Sequence, residues 1–399
     1  MADAASGLSF ELLTVGRILF GRGRVAELPG LVRELGESVL LVTNAGDPGA
    51  GTATDRAAAL LADAGLRVTT YRQRGEPTVA GVAEAAESAR SGACEAVVGL
   101  GGGSAIDAAK AAAALLTNGG APDDYMEVVG KGRKITRPAA PWVAVPTTAG
   151  TGAEVTKNAV VASHEKHFKA SIRGRELMAR AVVIDPELAV AVPPAVTARA
   201  GMDALCQLIE SYTSVHAQPV TDALALAGIR RAASGLREAF ADGGDLAARE
   251  DMALAALLSG IALTNAGLGA VHGFAAPLGA NFPVPHGVVC AALLPGVMAA
   301  NLEALRGGAG DPAGLEKYAD VGRALAGRAD LPSPEAADAG VGAAADLVRD
   351  LDIPGLGAFG LTEGRVDELV ALARRSSSMR YNPVTLPDDA LGKILREAI

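Results

Sequence analysis

Aromatic side chains are scarce in this 399-residue sequence, at 3%, with a single Trp at position 142. The core must therefore be built from alanine, glycine and aliphatic residues, and no aromatic cluster marks a substrate pocket. Cysteine is scarcer still. Cys94, Cys206 and Cys290 stand apart with no CxxC pair, so they read as small buried hydrophobes in a reducing compartment and not as a disulfide framework. A basic surplus is also missing: the net charge of −9 argues against nucleic acid or an anionic membrane as a partner. No stretch reaches 18 uninterrupted apolar residues, and "AAKAAAALLT" is too short to span a bilayer. The opening "MADAASGLSFELL" has no basic segment followed by an apolar one, so the expected location is the cytoplasm. What remains, half hydrophobic and a fifth charged, is the composition of a soluble globular chain long enough for two domains.

The first half alternates apolar runs with helix-periodic segments. Strands are expected at "ESVLLVTNAG" (37–46), "LRVTTY" (66–71), the start of "EAVVGLGGGSAIDAAKAAAALL" (95–116), the start of "APWVAVPTTAGTGAEVT" (140–156) and within "ARAVVIDPEL" (179–188). Helices are expected at "DRAAALLADAG" (55–65), at "VAGVAEAAESARSGA" (79–93) and after the triple glycine. Nearly continuous apolar strands that alternate with helices mean a parallel sheet covered on both faces. Beyond about residue 188 the segments are long, alanine-rich and helix-periodic. The expected architecture is an α/β N-terminal domain over 1–187 and an all-α C-terminal domain over 188–399.

Two glycine-containing loops follow strands. "GLGGGSAIDAAK" (99–110) runs from a strand into a helix, where backbone N–H groups and the helix N-terminus can hold a phosphate. Gly101, Gly102 and Gly103 permit close backbone approach, and Asp107 falls in the first turn, where it complements the helix dipole. The spacing Gly99-x-Gly101-x-x-Ser104 is short of a full GxGxxG, so a plain tight turn also explains it. "PTTAGTGAEVT" (146–156) ends another strand in small and hydroxyl residues that suit a nucleotide wall or a simple helix cap. Both loops belong at the carboxyl edge of a parallel sheet, where open α/β folds bind ligands.

The helical half carries the acid and imidazole groups. In "GMDALCQLIE" (201–210), Asp203 and Gln207 lie four apart and share a helix face. Of the histidines at 164, 167, 216, 272 and 286, two fall in "GAVHGFAAPLGANFPVPHGVV" (269–289). Each alone reads as a hydrogen-bonded core residue. Asp203 with His272 and His286 makes a workable set for a divalent metal with an open position, although 69 residues separate Asp203 from His272.

"GGGSAIDAAK", "PTTAGTGAEVT", "VVIDPEL", "GMDALCQLIESY", "NAGLGAVHGFAAPLG" and "PHGVVCAALLPGVM", in that order, resemble the iron-containing (group III) alcohol dehydrogenase family, of the wider superfamily of glycerol dehydrogenases and dehydroquinate synthases. The resemblance implies an N-terminal Rossmann-like NAD(P)-binding domain, a C-terminal helical domain, an active site between them, and a dimer or larger homo-oligomer. It puts the metal ligands on Asp203, Gln207, His272 and His286, with Fe2+ as the usual ion and Zn2+ as the alternative. It puts the pyrophosphate on Gly102, Gly103 and Ser104, with Asp107 in the same turn. The nicotinamide side falls near Thr147, Thr148 and Thr156, and Lys169 near a ribose. Three departures stand out. Gln207 replaces the usual histidine ligand with a neutral, weaker donor. Ala276 replaces a further active-site histidine, which enlarges the pocket and removes a proton-handling group. Asn44 stands where NAD-preferring members have Asp, so a 2′-phosphate is not repelled and both NAD and NADP are allowed.

The implied reaction is reversible hydride transfer between NAD(P)H and a small aldehyde, ketone or alcohol, assisted by the metal as a Lewis acid. Two rivals come from the same superfamily. One is a metal-independent reductase like maleylacetate reductase. The other is a dehydroquinate synthase-like lyase, disfavoured because few Lys or Arg interleave the motifs. A non-catalytic nucleotide-binding protein is the third.

Overall fold

The computed structural model describes residues 8–45, 52–163, 165 and 168–399; His164 and His167 lie outside them. The strands are β1 (Ile18–Phe20), β2 (Ser38–Asn44), β3 (Arg67–Gln73), β4 (Ala96–Gly101), β5 (Trp142–Pro146), β6 (Asn158–Ser163), β7 (Phe168–Arg173) and β8 (Ala181–Ile184). Six of them form one sheet in the order β1-β8-β5-β4-β2-β3, with every neighbouring pair parallel. The helices of this part are α1 (Leu28–Arg33), α2 (Ala53–Asp63), α3 (Val79–Ser91), α4 (Gly103–Asn118) and the short α5 (Pro122–Tyr125). Val39, Leu41, Val98 and Val143 pack on one face against Leu28, Leu31 and Leu61, while Leu40, Val42, Val97 and Ala144 pack on the other against α3 and α4. Covering both faces removes the need for alternation, which is why these strands read as unbroken apolar runs.

Three strands, β1, β6 and β7, and the short helices α1 and α5 escape the sequence reading. β1 is only three residues long and pairs with β8 at the sheet edge. β6 and β7 form a separate antiparallel ribbon, and its mixed polar and apolar residues carry no buried-strand signature.

After β8 the described chain has no strands. It continues as α6 (Pro194–Thr213), α7 (Pro219–Ala241), α8 (Leu246–Ala266), α9 (Ala270–Asn281), α10 (His286–Arg306), α11 (Ala313–Ala326), α12 (Ser333–Asp350), α13 (Val366–Ala373) and α14 (Asp388–Glu397). Small residues let these helices pack closely, as the alanine surplus implies. Among the described residues α10 alone has the length and apolarity of a membrane span, yet 61% of its apolar window is buried inside the molecule. It packs against α6, α9 and α12 as a core helix.

The loop after β5 is pinned by a buried lysine. Lys110 on α4 is fully buried and donates to the Ala153 carbonyl (2.7 Å), Thr156 Oγ1 (2.8 Å) and the Asn158 carbonyl (2.7 Å). All three of its protons are thereby used. Asp107 lies 3.5 Å from the same ammonium, and buried Glu154 adds a second acid. Burial raises the Glu154 carboxyl from 4.5 to about 7, against the pull of its own backbone amide and of Lys110. Between those pH values the folded chain keeps a proton that the unfolded chain has released, so stability falls as pH rises through this window. Glu154→Gln, permanently neutral, should remove that fall, which linkage puts at about 3 kcal/mol. Thermal melts should therefore rise for the variant at about pH 8 and change little near pH 4; identical melting behaviour at both would contradict the assignment.

Candidate active site

Helix α6 presents Asp203, Gln207 and Glu210 at spacings of four and three, hence on one face. All three are buried. Opposite them His272 occupies the first turn of α9 and His286 opens α10, with Cys290 one turn further along. Asp203 Oδ1 lies 3.3 Å from His272 Nε2 and 3.6 Å from His286 Nε2. The Cys290 Sγ lies 3.6 Å from both of those nitrogens. On the other edge of the His272 ring, Nδ1 meets Glu210 Oε2 at 2.6 Å, and Glu210 Oε1 accepts from the Val271 N–H at 2.7 Å. The Gly287 position is forced by packing: a Cβ there would collide with the Arg199 carbonyl of α6. That close approach brings His286 to Asp203.

The charges favour a cation at this point. Burial opposes ionisation of Asp203, but the His286 and His272 imidazoles hold it well below the usual carboxylate range. Burial likewise opposes charging of His272, and the Cys290 sulfur with the Glu210 and Asp203 carboxylates outweighs it, raising this imidazole well above its usual range. The Cys290 sulfur and Asp203 raise His286 to about 10. Burial pushes both thiols up, Cys206 to about 12. The donor chemistry points the same way. When His272 donates its Nδ1–H to Glu210, its Nε2 has only a lone pair to turn toward the Asp203 oxygen. Two imidazole lone pairs and a carboxylate oxygen facing one another need a second proton or a metal ion between them, and the carboxylate–histidine support is the usual setting of a metal ligand. The residues present fit a divalent ion. Gln207 is less free: the Ser259 hydroxyl reaches its Oε1 at 2.8 Å.

The glycine turn lies at the carboxyl edge of the sheet. The chain steps from β2 to β3 on one side and returns to β4 on the other, so the crevice between the ends of β2 and β4 is a topological switch point, where doubly wound folds bind ligands. Asn44 ends β2 and its Oδ1 accepts from Gly102 N–H at 2.8 Å. Gly101 has φ +150, and a Cβ there would collide with Asn44 and Ala105, so only glycine fits. Gly102 faces Thr148 and Gly103 faces Thr151, while Thr147 N–H donates to the Gly101 carbonyl at 2.9 Å. Ser104 follows in the first turn of α4.

The other expected cofactor residues have protein partners. Thr156 is buried against Lys110. Asp107 Oδ2 accepts from Val160 N–H at 3.0 Å. Lys169 pairs with Glu76 at 2.6 Å and lies beside Gly279 of α9. These groups hold the walls of the crevice in place. The two halves meet through the β5 loop: Gly150 abuts Ala200 of α6, and the Gly152 backbone touches Gly260 of α8, one residue from Ser259. Ala276 sits one turn after His272 on α9.

Sequence reasoning missed Glu210 and Cys290. Glu210 is seven residues after Asp203 and Cys290 four after His286, so helical spacing carried a signal for both. Cys206 and Cys290 are free and buried in the core, as expected, and both thiols also touch His272.

Residues 16–186 match the family described as iron-containing alcohol dehydrogenase, and residues 197–399 match the C-terminal part of the same family. Choline dehydrogenase of Bacillus subtilis (strain 168) is 38% identical over 391 residues, 97% of this chain and 94% of that protein. The structure of 1,3-propanediol oxidoreductase superposes with a TM-score of 0.91 at 34% identity, covering 98% of this chain and 100% of the other. Sulfoacetaldehyde reductase from Bifidobacterium kashiwanohense, solved with NAD+, gives 0.83 at 29% identity, covering 98% and 99%.

Glu210→Gln removes the charge that orients His272 but keeps the shape. Equilibrium dialysis should show its metal affinity reduced by about 10–100-fold, the usual worth of such a supporting carboxylate. Unchanged affinity would show that Glu210 has no hold on the site.

Proposed function

The chain belongs to the iron-containing alcohol dehydrogenase family, and from that premise we propose that Asp203, His272 and His286 hold a divalent metal beside the nicotinamide of a dinucleotide laid across the glycine turn. The enzyme is an oxidoreductase that moves a hydride between a nicotinamide cofactor, NAD(H), and a small alcohol or carbonyl compound. The convergence of one buried carboxylate and two imidazoles on one point supports the metal reading more than any other observation. When bound, the metal supplies Lewis acidity to the substrate oxygen and the nicotinamide supplies or takes the hydride.

The protein's own part is placement. Asp203 contributes the negative charge, and Glu210 holds His272 so that Nε2 faces the centre. The backbone N–H groups of Gly103 and Ser104, at the N-terminus of α4, suit a pyrophosphate lying over Gly102, whose own N–H is held by Asn44. Thr147 and Thr148 line the approach from there toward α6. Asn44 puts no charge at the end of β2, and we infer that NADP(H) is accepted beside NAD(H). Iron(II) is the ion the family implies, and zinc(II) suits the same donors. The side chain of His286 is 45% exposed whereas Asp203 is 3%, so substrate enters on the His286 side. The relatives named above act on choline, propanediol and sulfoacetaldehyde, all small and polar, and a small polar alcohol or aldehyde is the expected substrate class. We further assign residues 1–187 to the nucleotide domain and 188–399 to the metal and substrate domain, with a homodimer or larger homo-oligomer working in the cytoplasm.

A metal-independent reductase is the weaker reading, because it gathers two imidazoles and two buried carboxylates at one point with only protons between them. His272→Ala should abolish NAD(P)H oxidation across an aldehyde panel while leaving dinucleotide binding, followed by fluorescence titration, nearly intact. Chelation of the wild-type enzyme should remove the same activity, and added metal should restore it. Full activity of the variant after chelation would contradict the metal role.

A further inference from the structure

We propose that Cys290 is itself a ligand of the divalent ion, completing with Asp203, His272 and His286 a set of one carboxylate, two imidazoles and one thiolate in which Gln207 takes no part. The proposal rests on the metal reading above and adds a ligand that the family motif does not include.

Distances carry it. Zinc–nitrogen bonds of about 2.0–2.1 Å, zinc–oxygen bonds of similar length and zinc–sulfur bonds of about 2.3 Å place the donors of a tetrahedral site about 3.4 Å (N to O) and 3.6 Å (N to S) apart. The Cys290 sulfur is 3.6 Å from each imidazole nitrogen, and the carboxylate oxygen is 3.3 and 3.6 Å from them. All four donor atoms lie within 4.8 Å of one another. His286 and Cys290 are one turn apart on α10, so a rigid helix presents both to one point.

Gln207 offers less. Its Oε1 is engaged by the Ser259 hydroxyl at 2.8 Å, and a neutral amide is a poorer donor than a thiolate for zinc-like ions. Cys206 is not an equivalent candidate, because it meets His272 at Nδ1, on the Glu210 side of the ring. Coordination replaces the Cys290 S–H bond with a sulfur–metal bond and releases the proton to solvent. Four protein donors would still leave the exposed side of His286 open to a substrate, and zinc tolerates five donors. The thiolate also moves the site's preference toward softer ions such as Zn(II) and away from Mg(II) or Mn(II).

The test is Co(II) substitution of the full-length protein under reducing conditions, read by elemental analysis and near-ultraviolet absorption. Stoichiometric Co(II) should give a sulfur-to-cobalt charge-transfer band in the wild type and in Cys206→Ala. Cys290→Ala and Cys290→Ser should lose the band and bind Co(II) at least about tenfold more weakly; the loss of the band is what separates a ligand from an outer-shell partner. Wild-type protein that holds Co(II) without the band overturns the assignment of Cys290 and leaves the Asp–His–His reading standing. A band that survives in the Cys290 variants overturns it equally. Failure of the wild type to take up Co(II) overturns the metal reading together with it.

Discussion

His272 is wedged between two carboxylates, Glu210 at 2.6 Å and Asp203 at 3.3 Å, in a core where isolated charges are costly. Neither acid could remain ionised there without positive charge nearby, and one neutral imidazole cannot satisfy both. The arrangement therefore needs positive charge at its centre, supplied by protons on the two imidazoles or by a bound cation. Much of the helical half follows from it. One helix, α6, carries both acids, and α9 turns by 100° from α8 before presenting His272. Helix α10 must approach α6 closely enough that Gly287 has no room for a side chain.

The same reasoning joins the two halves. A parallel sheet with both faces covered leaves only its edges and ends for ligands, and the reversal of strand order beside β2 selects one crevice. The β5 loop that walls this crevice also runs against α6 and α8 through Gly150 and Gly152. A nucleotide in the crevice and an ion on α6 are thus neighbours through a few residues of packed backbone. Lys110, Asp107 and Glu154 keep that loop in place from beneath. Burying a lysine beside two acids stabilises little by itself, but it ties the loop after β5 to α4 through the Ala153, Thr156 and Asn158 contacts.

Much of this was legible in the sequence, and the rest failed for identifiable reasons. Unbroken apolar runs announced the central strands, because burial on two faces leaves no polar alternation. The short β1 and the β6–β7 ribbon lacked that signature. Asp203, His272 and His286 could be named because each stands in a distinctive motif, although their convergence is a property of helix packing that no linear spacing encodes. Glu210 was overlooked as an ordinary helix acid, and Cys290 was discounted because a buried thiol is usually inert. Thr156, Asp107 and Lys169 look like ligand contacts when read as hydroxyl, acid and base in a loop. In the fold each also has a protein partner: Lys110 for Thr156, the Val160 amide for Asp107 and Glu76 for Lys169.

Two of the three departures from the family pattern lie in the helical half, and the third, Asn44, lies in the glycine crevice. Gln207 on α6 and Ala276 on α9 each stand where the resemblance expects an imidazole. The central claim is that the ion lies among Asp203, His272 and His286 and faces the glycine crevice. Anomalous diffraction at the absorption edge of the bound metal, from crystals grown with NAD(H), tests it most directly. The account predicts a peak enclosed by those three side chains, with nucleotide density running toward Gly102; a peak elsewhere on the molecule, with those side chains bonded only to each other, would contradict it.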